Sequence, residues 1–317
     1  MPANLEVAGL TVPPGERRMQ VVQADLGNRT VEVPIIAING TQEGPRVTVS
    51  GGVHGAEYVG IEGARRVGTS LDPATVSGSV VVIPIMNTTA FFKRSIYTSG
   101  LDGNNINRMF PGDPNGDPAQ RLAAWLFDNL IHPSDYFVDM HGGDMIEALV
   151  PFAGYLESGN KRVDETSRKM AESYAIEIVI QTETPGSAYG AAAKAGIPAF
   201  IAEIGGDGVW NDELADQHAE GVRRVLRHLG VIPGGEPEET PHRSLGEFPW
   251  LRAGHSGLLH PLVALGDTVE KGQPVARIVD YFGNELESLS APGSGEVLFL
   301  VTSLAINQGD PVLAIGA

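Results

Sequence analysis

The chain has 317 residues and no cysteine, which excludes disulfides and thiolate metal ligands and leads to the expectation of a reducing, cytoplasmic setting. A formal net charge of −17 argues against general nucleic-acid binding, because affinity for phosphates needs Lys and Arg. No apolar run approaches the ~18 residues that cross a bilayer, and the opening MPANLEVAGLTVPPGERRMQ has no basic segment followed by an apolar core, so neither a membrane span nor a signal peptide is expected.

In chain order, MQVVQADL (19–26), TVEVPIIAI (30–38) and RVTVSG (46–51) are rich in Val and Ile with turn sequences between them, and predict strands. The segment 58–71, YVGIEGARRVGTSL, suits a helix, although Gly60 and Gly63 within it and Gly55 before it oppose one. GSVVVIPIMN (78–87) is the near-continuous apolar run of a strand buried on both faces. Residues 87–118 are polar and almost without periodicity; a stretch of this length inside a compact fold is usually functional or disordered.

Beyond it, AQRLAAWLFDNLI (119–131) predicts an amphipathic helix and DYFVDMHGG (135–143) a strand ending at a histidine. Residues 160–176 read as helix, IEIVIQT (176–182) as strand, SAYGAAAKAG (187–196) as helix, IPAFIAEIGG (197–206) as strand and NDELADQHAEGVRRVLRHLG (211–230) as helix. This alternation predicts an α/β fold, with a largely parallel or mixed sheet and helices on both faces. VIPGGEPEETPHRS (231–244) reads as a linker, and the glycine-punctuated short strands after it predict a small all-β barrel or sandwich. The expected division is a domain over 1–235 and a second over 243–317.

Three strand ends carry chemistry. SGGVHGAE brings His54 and Glu57, FVDMHGG brings His141, and FIAEIGG brings Glu203. Ligands of open α/β sheets bind outside the carboxyl ends of strands, where all four residues fall. Two histidines and a glutamate with one open position form the ligand set of a hydrolytic zinc site, and a further glutamate can serve as general base. Taken singly, each residue has an ordinary explanation as a turn or helix-start residue, but a carboxylate ending the apolar strand at Glu203 is costly unless paired, ligated or catalytic. In the polar stretch DGNNINRMFPG, Asn107 and Arg108 offer fixed donors for a carboxylate, and Arg94 is a second candidate cation. The histidines at 132, 218, 228, 242, 255 and 260 lack such context and read as solvated or structural.

Together, these segments resemble the succinylglutamate desuccinylase/aspartoacylase family, a branch of the zinc carboxypeptidase clan, over roughly residues 45 to 230. The resemblance implies one zinc ion per chain on His54, Glu57 and His141, with Glu203 as the base for the water that attacks. It implies Asn107 and Arg108 gripping a substrate carboxylate and Arg94 polarising the scissile carbonyl. The implied activity is a deacylase cleaving the amide of a small N-acylated amino acid, of the N-acetyl-diaminobutyrate type. The rival readings are a metallocarboxypeptidase for short peptides and an inactive metal-dependent binding protein. Oligomeric state stays open. Where the family often has an aspartate to orient the first zinc histidine, this chain has Asn105, which accepts a hydrogen bond but adds no charge. Asp139, two residues before His141 on the same strand face, is a candidate for a similar supporting role.

The C-terminal part resembles a biotinyl/lipoyl-type barrel in the half-repeats LGDTVEKGQPVARI and APGSGEVLFL. Carrier domains of that type present a modified lysine on the hairpin between the halves. Here that hairpin, VDYFGNELESLSAP, has none, and the only lysine in residues 241–317 is Lys271, ahead of it. No carried cofactor is expected.

Overall fold

In the computed structural model, which describes residues 2–237, 240–245 and 249–317, the predicted alternation becomes three layers with a sheet in the middle. The chain opens with β1 (Leu5–Val7) and β2 (Leu10–Val12), a hairpin the sequence pattern did not signal, then β3 (Glu16–Asp25), β4 (Thr30–Asn39) and β5 (Gln42–Ser50). Next come α1 (Tyr58–Ser70), β6 (Ser77–Ile83), α2 (Thr88–Lys93), α3 (Pro118–Leu126), β7 (Tyr136–His141), β8 (Glu147–Leu149) and β9 (Phe152–Tyr155). They are followed by α4 (Lys161–Ser173), β10 (Ile178–Gln181), α5 (Ala188–Lys194), β11 (Ala199–Glu203) and α6 (Asp212–His228).

Eight of these strands form one mixed sheet in the order β10-β9-β11-β7-β5-β6-β4-β3. Its centre is parallel: β5 pairs with β6 and β7, and β7 with β11. The strands alternate between two apolar layers, as the period of two requires. On β11, Phe200 and Ala202 join Val67 of α1, Met170 of α4 and Val225 of α6, while Ala199 and Ile201 join Leu122 of α3 and Ala192 of α5.

The glycines that oppose a helix in α1 are explained by what the helix rests on. A Cβ at Gly60 would stand 3.1 Å from the Met140 carbonyl oxygen, and one at Gly63 would stand 2.7 Å from His218 Cβ and 2.8 Å from the Met140 methyl carbon. The helix therefore lies directly against β7, and close packing outweighs the poor helix propensity of glycine, about 1 kcal/mol per residue.

The C-terminal strands are β12 (Trp250–Arg252), β13 (Gly257–Pro261), β14 (Thr268–Val269), β15 (Pro274–Val279), β16 (Glu285–Ser290), β17 (Gly295–Val301), β18 (Ala305–Ile306) and β19 (Pro311–Gly316). They form two antiparallel sheets, β12-β19-β17-β14 and β16-β15-β13-β18, around a shared core that includes Leu259, Val275, Val297 and Leu313. Among the described residues they do not close into a barrel; the sandwich alternative describes them better. Lys271 lies in the turn between β14 and β15, not on the β15–β16 hairpin.

Strand β8 belongs to neither expectation. It leaves the large sheet and pairs with β17, Glu147 opposite Val301 and Leu149 opposite Phe299. Of the linker 231–244, Val231 accepts from Ser77 N–H and Arg243 bridges to Ile178; residues 238 and 239 of it, and 246–248 after it, lie outside the described residues. Among the described residues no helix is long and apolar enough to cross a membrane.

Candidate metal centre and active site

Strand β5 ends at Ser50, and the turn that leads into α1 carries His54 and Glu57 back over the carboxyl end of β7. His54 Nδ1 is 2.6 Å from Glu57 Oε1, and His141 Nδ1 is 2.9 Å from Glu57 Oε2. One ligand atom from each of the three lies within 4.8 Å of the others, and all three residues are buried. Burial alone would raise the Glu57 pKa, but the charges and hydrogen bonds of His141 and His54 outweigh it and pull the carboxyl down to about 2. For His141 burial favours the neutral ring, and Glu57 and Asp139 reverse that, holding its pKa well above the usual imidazole range. A buried carboxylate needs compensating positive charge. Two imidazole nitrogens and a carboxylate converging on one point fit a borderline-soft divalent cation such as zinc.

The His54 ring is held by a hydrogen bond from behind, and the His141 ring faces a carboxylate. His54 Nε2 donates to Asn105 Oδ1 at 3.1 Å, which leaves Nδ1, the nitrogen that faces Glu57, as the one that would bind a metal. Asn105 thus occupies the supporting position the sequence assigned it. Its Oδ1 also accepts from Asn107 N–H at 2.8 Å, tying that support to the carboxylate-binding candidates. His141 Nε2 is 3.4 Å from Asp139 Oδ1, and Ser50 Oγ donates to the same oxygen at 2.8 Å. Behind β7, fully buried His218 donates from Nε2 to the His141 carbonyl at 2.9 Å and is bonded at Nδ1 to the Tyr174 hydroxyl at 2.7 Å. Its pKa is lowered to about 4, chiefly by burial, and it is a structural histidine.

Glu203 ends β11 directly beside His141, its register partner on β7. Burial is the largest influence on its carboxyl and raises the pKa well above the usual range; His141 opposes this, and Glu57 and Glu147 add to the rise. All four strand-end residues open onto one cavity of about 680 Å³, which Asn107 and Arg108 also line. Asn107 is buried, with its Oδ1 accepting from Ala188 N–H at 3.0 Å, so the amide NH₂ is the donor it has for the cavity. Arg108 is exposed and bonds the Asn107 carbonyl at 2.7 Å. Gly186, at φ +75°, presses on this segment: a Cβ there would stand 2.3 Å from the Arg108 carbonyl oxygen.

Arg94 is not brought to the site. It caps the C-terminal end of α2 in the left-handed conformation, φ 53°, is exposed, and does not line the cavity. The polar stretch 87–118 is ordered by side-chain caps, such as Asn87 accepting from Ala90 N–H at 3.1 Å, and it supplies one wall of the cavity.

Three wall groups escaped the sequence reading. Tyr97, at φ 54°, donates its hydroxyl to Glu147, and its N–H donates to Asp144 at 2.8 Å. Burial pushes the Glu147 carboxyl up to about 7 against its bonds from Tyr97 and Asp144 N–H. Trp250, Arg252 and Phe299 of the C-terminal strands close another side. A glutamate in MIEALV offers no motif, and only the pairing of β8 with β17 makes it part of the site.

A mixed α/β sheet with a His–Glu–His cluster and a further carboxylate at its strand ends belongs to the carboxypeptidase-like class of folds. The sequence matches the succinylglutamate desuccinylase/aspartoacylase catalytic domain over residues 43–229, more than half of its length, and the chain belongs to that family. It is 29% identical over 299 residues to the N-alpha-acetyl-L-2,4-diaminobutyric acid deacetylase of Halomonas elongata, covering 90% of this chain and 85% of that one. Among solved structures it is similar to a succinylglutamate desuccinylase from Silicibacter sp. TM1040, at 25% identity and TM-score 0.85, over 96% of this chain and 97% of that one. A succinylglutamate desuccinylase/aspartoacylase from Rhodobacter sphaeroides matches at 28% identity and TM-score 0.84, over 95% of each chain.

Proposed function

We propose that the protein is a zinc-dependent deacylase that hydrolyses the amide bond of a small N-acylated amino acid, of the N-acetyl-diaminobutyrate type. The observation that carries this reading is the placement of Glu203 beside a buried His54–Glu57–His141 cluster in the cavity that Asn107 and Arg108 share. The 29% identity to a diaminobutyric acid deacetylase over nine-tenths of the chain supports the substrate class.

His54, Glu57 and His141 would hold one zinc ion. Bound there, zinc supplies Lewis acidity that polarises a carbonyl and makes water nucleophilic near neutral pH. Glu203, beside His141 at the strand ends, takes the proton from the attacking water and delivers it to the departing amine. Asn107 and Arg108 clasp the substrate carboxylate and fix the amide relative to Glu203. Arg94, which does not line the cavity, is given no role in this scheme. The walls contributed by Trp250, Arg252 and Phe299 favour a bounded pocket for an acyl amino acid over the open groove a peptidase needs. We also propose a catalytic domain over 1–235 and a second domain over 243–317, and a cytoplasmic location in keeping with the absence of cysteine.

A screen of N-acyl amino acids on zinc-loaded protein, scored by release of free amine, tests the reading. Turnover of N-acetyl-diaminobutyrate or a close relative is expected. Turnover of short peptides from the C-terminus with none of N-acyl amino acids would replace it with the peptidase reading.

A further inference from the structure

The site does not end at Glu203. Cross-strand register continues the row outward: Glu203 of β11 stands opposite Phe152 of β9, and Phe152 opposite Ile178 of β10. Phe152 is half-buried and lines the cavity, as does Ile180 two residues further along β10. The C-terminal sheet adds two rings in contact, Trp250 of β12 and Phe299 of β17, with centroids 4.6 Å apart and planes tilted by 60°. Leu149, the cross-strand partner of Phe299, completes the surface.

This wall differs in kind from the rest of the cavity. The carboxylate donors Asn107 and Arg108 lie on one side, whereas Phe152, Ile180, Trp250, Phe299 and Leu149 form an apolar wall that Arg252 borders. Phe299 and Leu149 are buried in the sandwich core, but Trp250 remains 44% exposed while facing a concavity. At about 680 Å³ the cavity falls well inside the range of ~300–1,000 Å³ that encloses drug-sized ligands. An acetylated amino acid with a short polar side chain would leave the apolar wall wet, and apolar surface facing a concavity is a binding surface in waiting.

We infer that this wall is a second compartment of the substrate site, which takes an apolar group about the size of a phenyl ring or a short alkyl chain, with Trp250 as its specificity-determining residue. The inference rests on the deacylase reading of the same cavity and narrows its substrate class. The apolar group enters either as the amino-acid side chain or as the acyl chain, since both present the same hydrocarbon surface. Because a single methylene in a hydrophobic pocket discriminates by about 10–200-fold, a group covering a half-open wall is expected to gain about tenfold or more over methyl.

The test compares kcat/KM of the zinc-loaded full chain on N-acetyl-L-alanine, N-acetyl-L-phenylalanine and N-hexanoyl-L-alanine. Alongside it, calorimetry compares binding of 3-phenylpropanoate and propanoate, a readout independent of turnover. A gain of about tenfold is expected in at least one substrate arm, the phenylalanine arm assigning the wall to the side chain and the hexanoyl arm to the acyl chain. 3-Phenylpropanoate should bind about tenfold more tightly than propanoate, and in Trp250→Ala both ratios should fall towards one. Trp250→Leu, which keeps apolar bulk without the ring, should give intermediate ratios and serves if the alanine variant fails to fold. Loss of all amide turnover with the calorimetric preference intact would sink the deacylase reading and leave the compartment standing. No preference in either measurement, or ratios unchanged in both variants, would overturn the compartment.

Discussion

Removing one carboxamide oxygen should loosen metal binding without touching a ligand. Asn105 Oδ1 accepts from His54 Nε2 at 3.1 Å and from Asn107 N–H at 2.8 Å. In Asn105→Ala both donors lose their partner. The first bond keeps a proton on Nε2, so Nδ1, which faces Glu57, is the nitrogen left to bind a metal. Loss of an outer partner of this kind costs about 10–100-fold in metal affinity, equivalent to about 1.4–2.7 kcal/mol. The second bond fixes the backbone ahead of a buried side chain, and its loss should cost about 1 kcal/mol of folding stability whether or not metal is present. Asn105→Asp keeps the acceptor and adds negative charge, so the ring becomes more basic and zinc should bind at least as tightly as in the wild type. The assay is competition for zinc against a chromophoric chelator at fixed pH, with thermal melts of the metal-free proteins to separate the two effects. Equal zinc affinity in the wild type and Asn105→Ala would refute the reasoning. The His54 ring would then be held by its edge contacts with Tyr97 and His141, whose centroids lie 5.8 and 5.1 Å away, and not by the amide.

Glu203→Gln should keep zinc and lose turnover by roughly 10²–10⁴-fold, the worth of a general base; a variant that loses its metal as well would make Glu203 a ligand. Arg108→Ala should erase the preference for a substrate carboxylate over the matching amide, a preference of about 1.5–3 kcal/mol or more in the wild type, read from four values of kcat/KM. Glu147, at about 7 in the folded protein against 4.5 when free, should lower stability on ionising by about 3 kcal/mol. Its raised pKa favours folding fully below pH 4.5, and that advantage is lost as pH rises to about 7. The Tm of Glu147→Gln should therefore gain on the wild type across that window and hold its lead above it, whereas a constant difference at every pH would count against the buried carboxyl.

The strand ends were legible because their chemistry interrupts apolar runs. His141 and Glu203 follow VDM and FIA, and a polar residue ending a buried strand has few explanations. His54 and Glu57 were harder to read, since a glycine-rich turn carries polar residues for many reasons, and only their meeting with His141 singles them out. The layer order followed from alternation, but β8 and β9 did not. EAL and FAGY are too short to show a period, and β8 is held by β17, about 150 residues away in sequence. Arg94 shows the opposite failure. Its residue type and its place in a polar stretch suggested an anion site, but it caps α2 and does not line the cavity, whereas Tyr97, three residues on, does.

The large sheet and the C-terminal sandwich contribute different things to the cavity, and the bonding explains why. The metal-ligand candidates and Glu203 sit on β5, β7 and β11 or the turn next to them, in the parallel centre of the sheet, where neighbours on both sides fix each strand. Glu147 has no such support from the large sheet. It is placed by pairing with Val301, by Thr302 N–H donating to the Ile146 carbonyl at 2.8 Å, and by Asp207 N–H donating to its own carbonyl at 2.8 Å. Thr302 Oγ1 in turn bonds the Asp207 carboxylate at 2.6 Å. Through Glu147 the sandwich reaches Tyr97, whose ring meets the edge of His54. A change in the sandwich can therefore act on the cluster by two routes, the apolar wall it presents directly and the hydroxyl it holds in place. The sheet centre holds the cluster and Glu203, and the sandwich supplies the apolar wall and, through Glu147, the position of Tyr97.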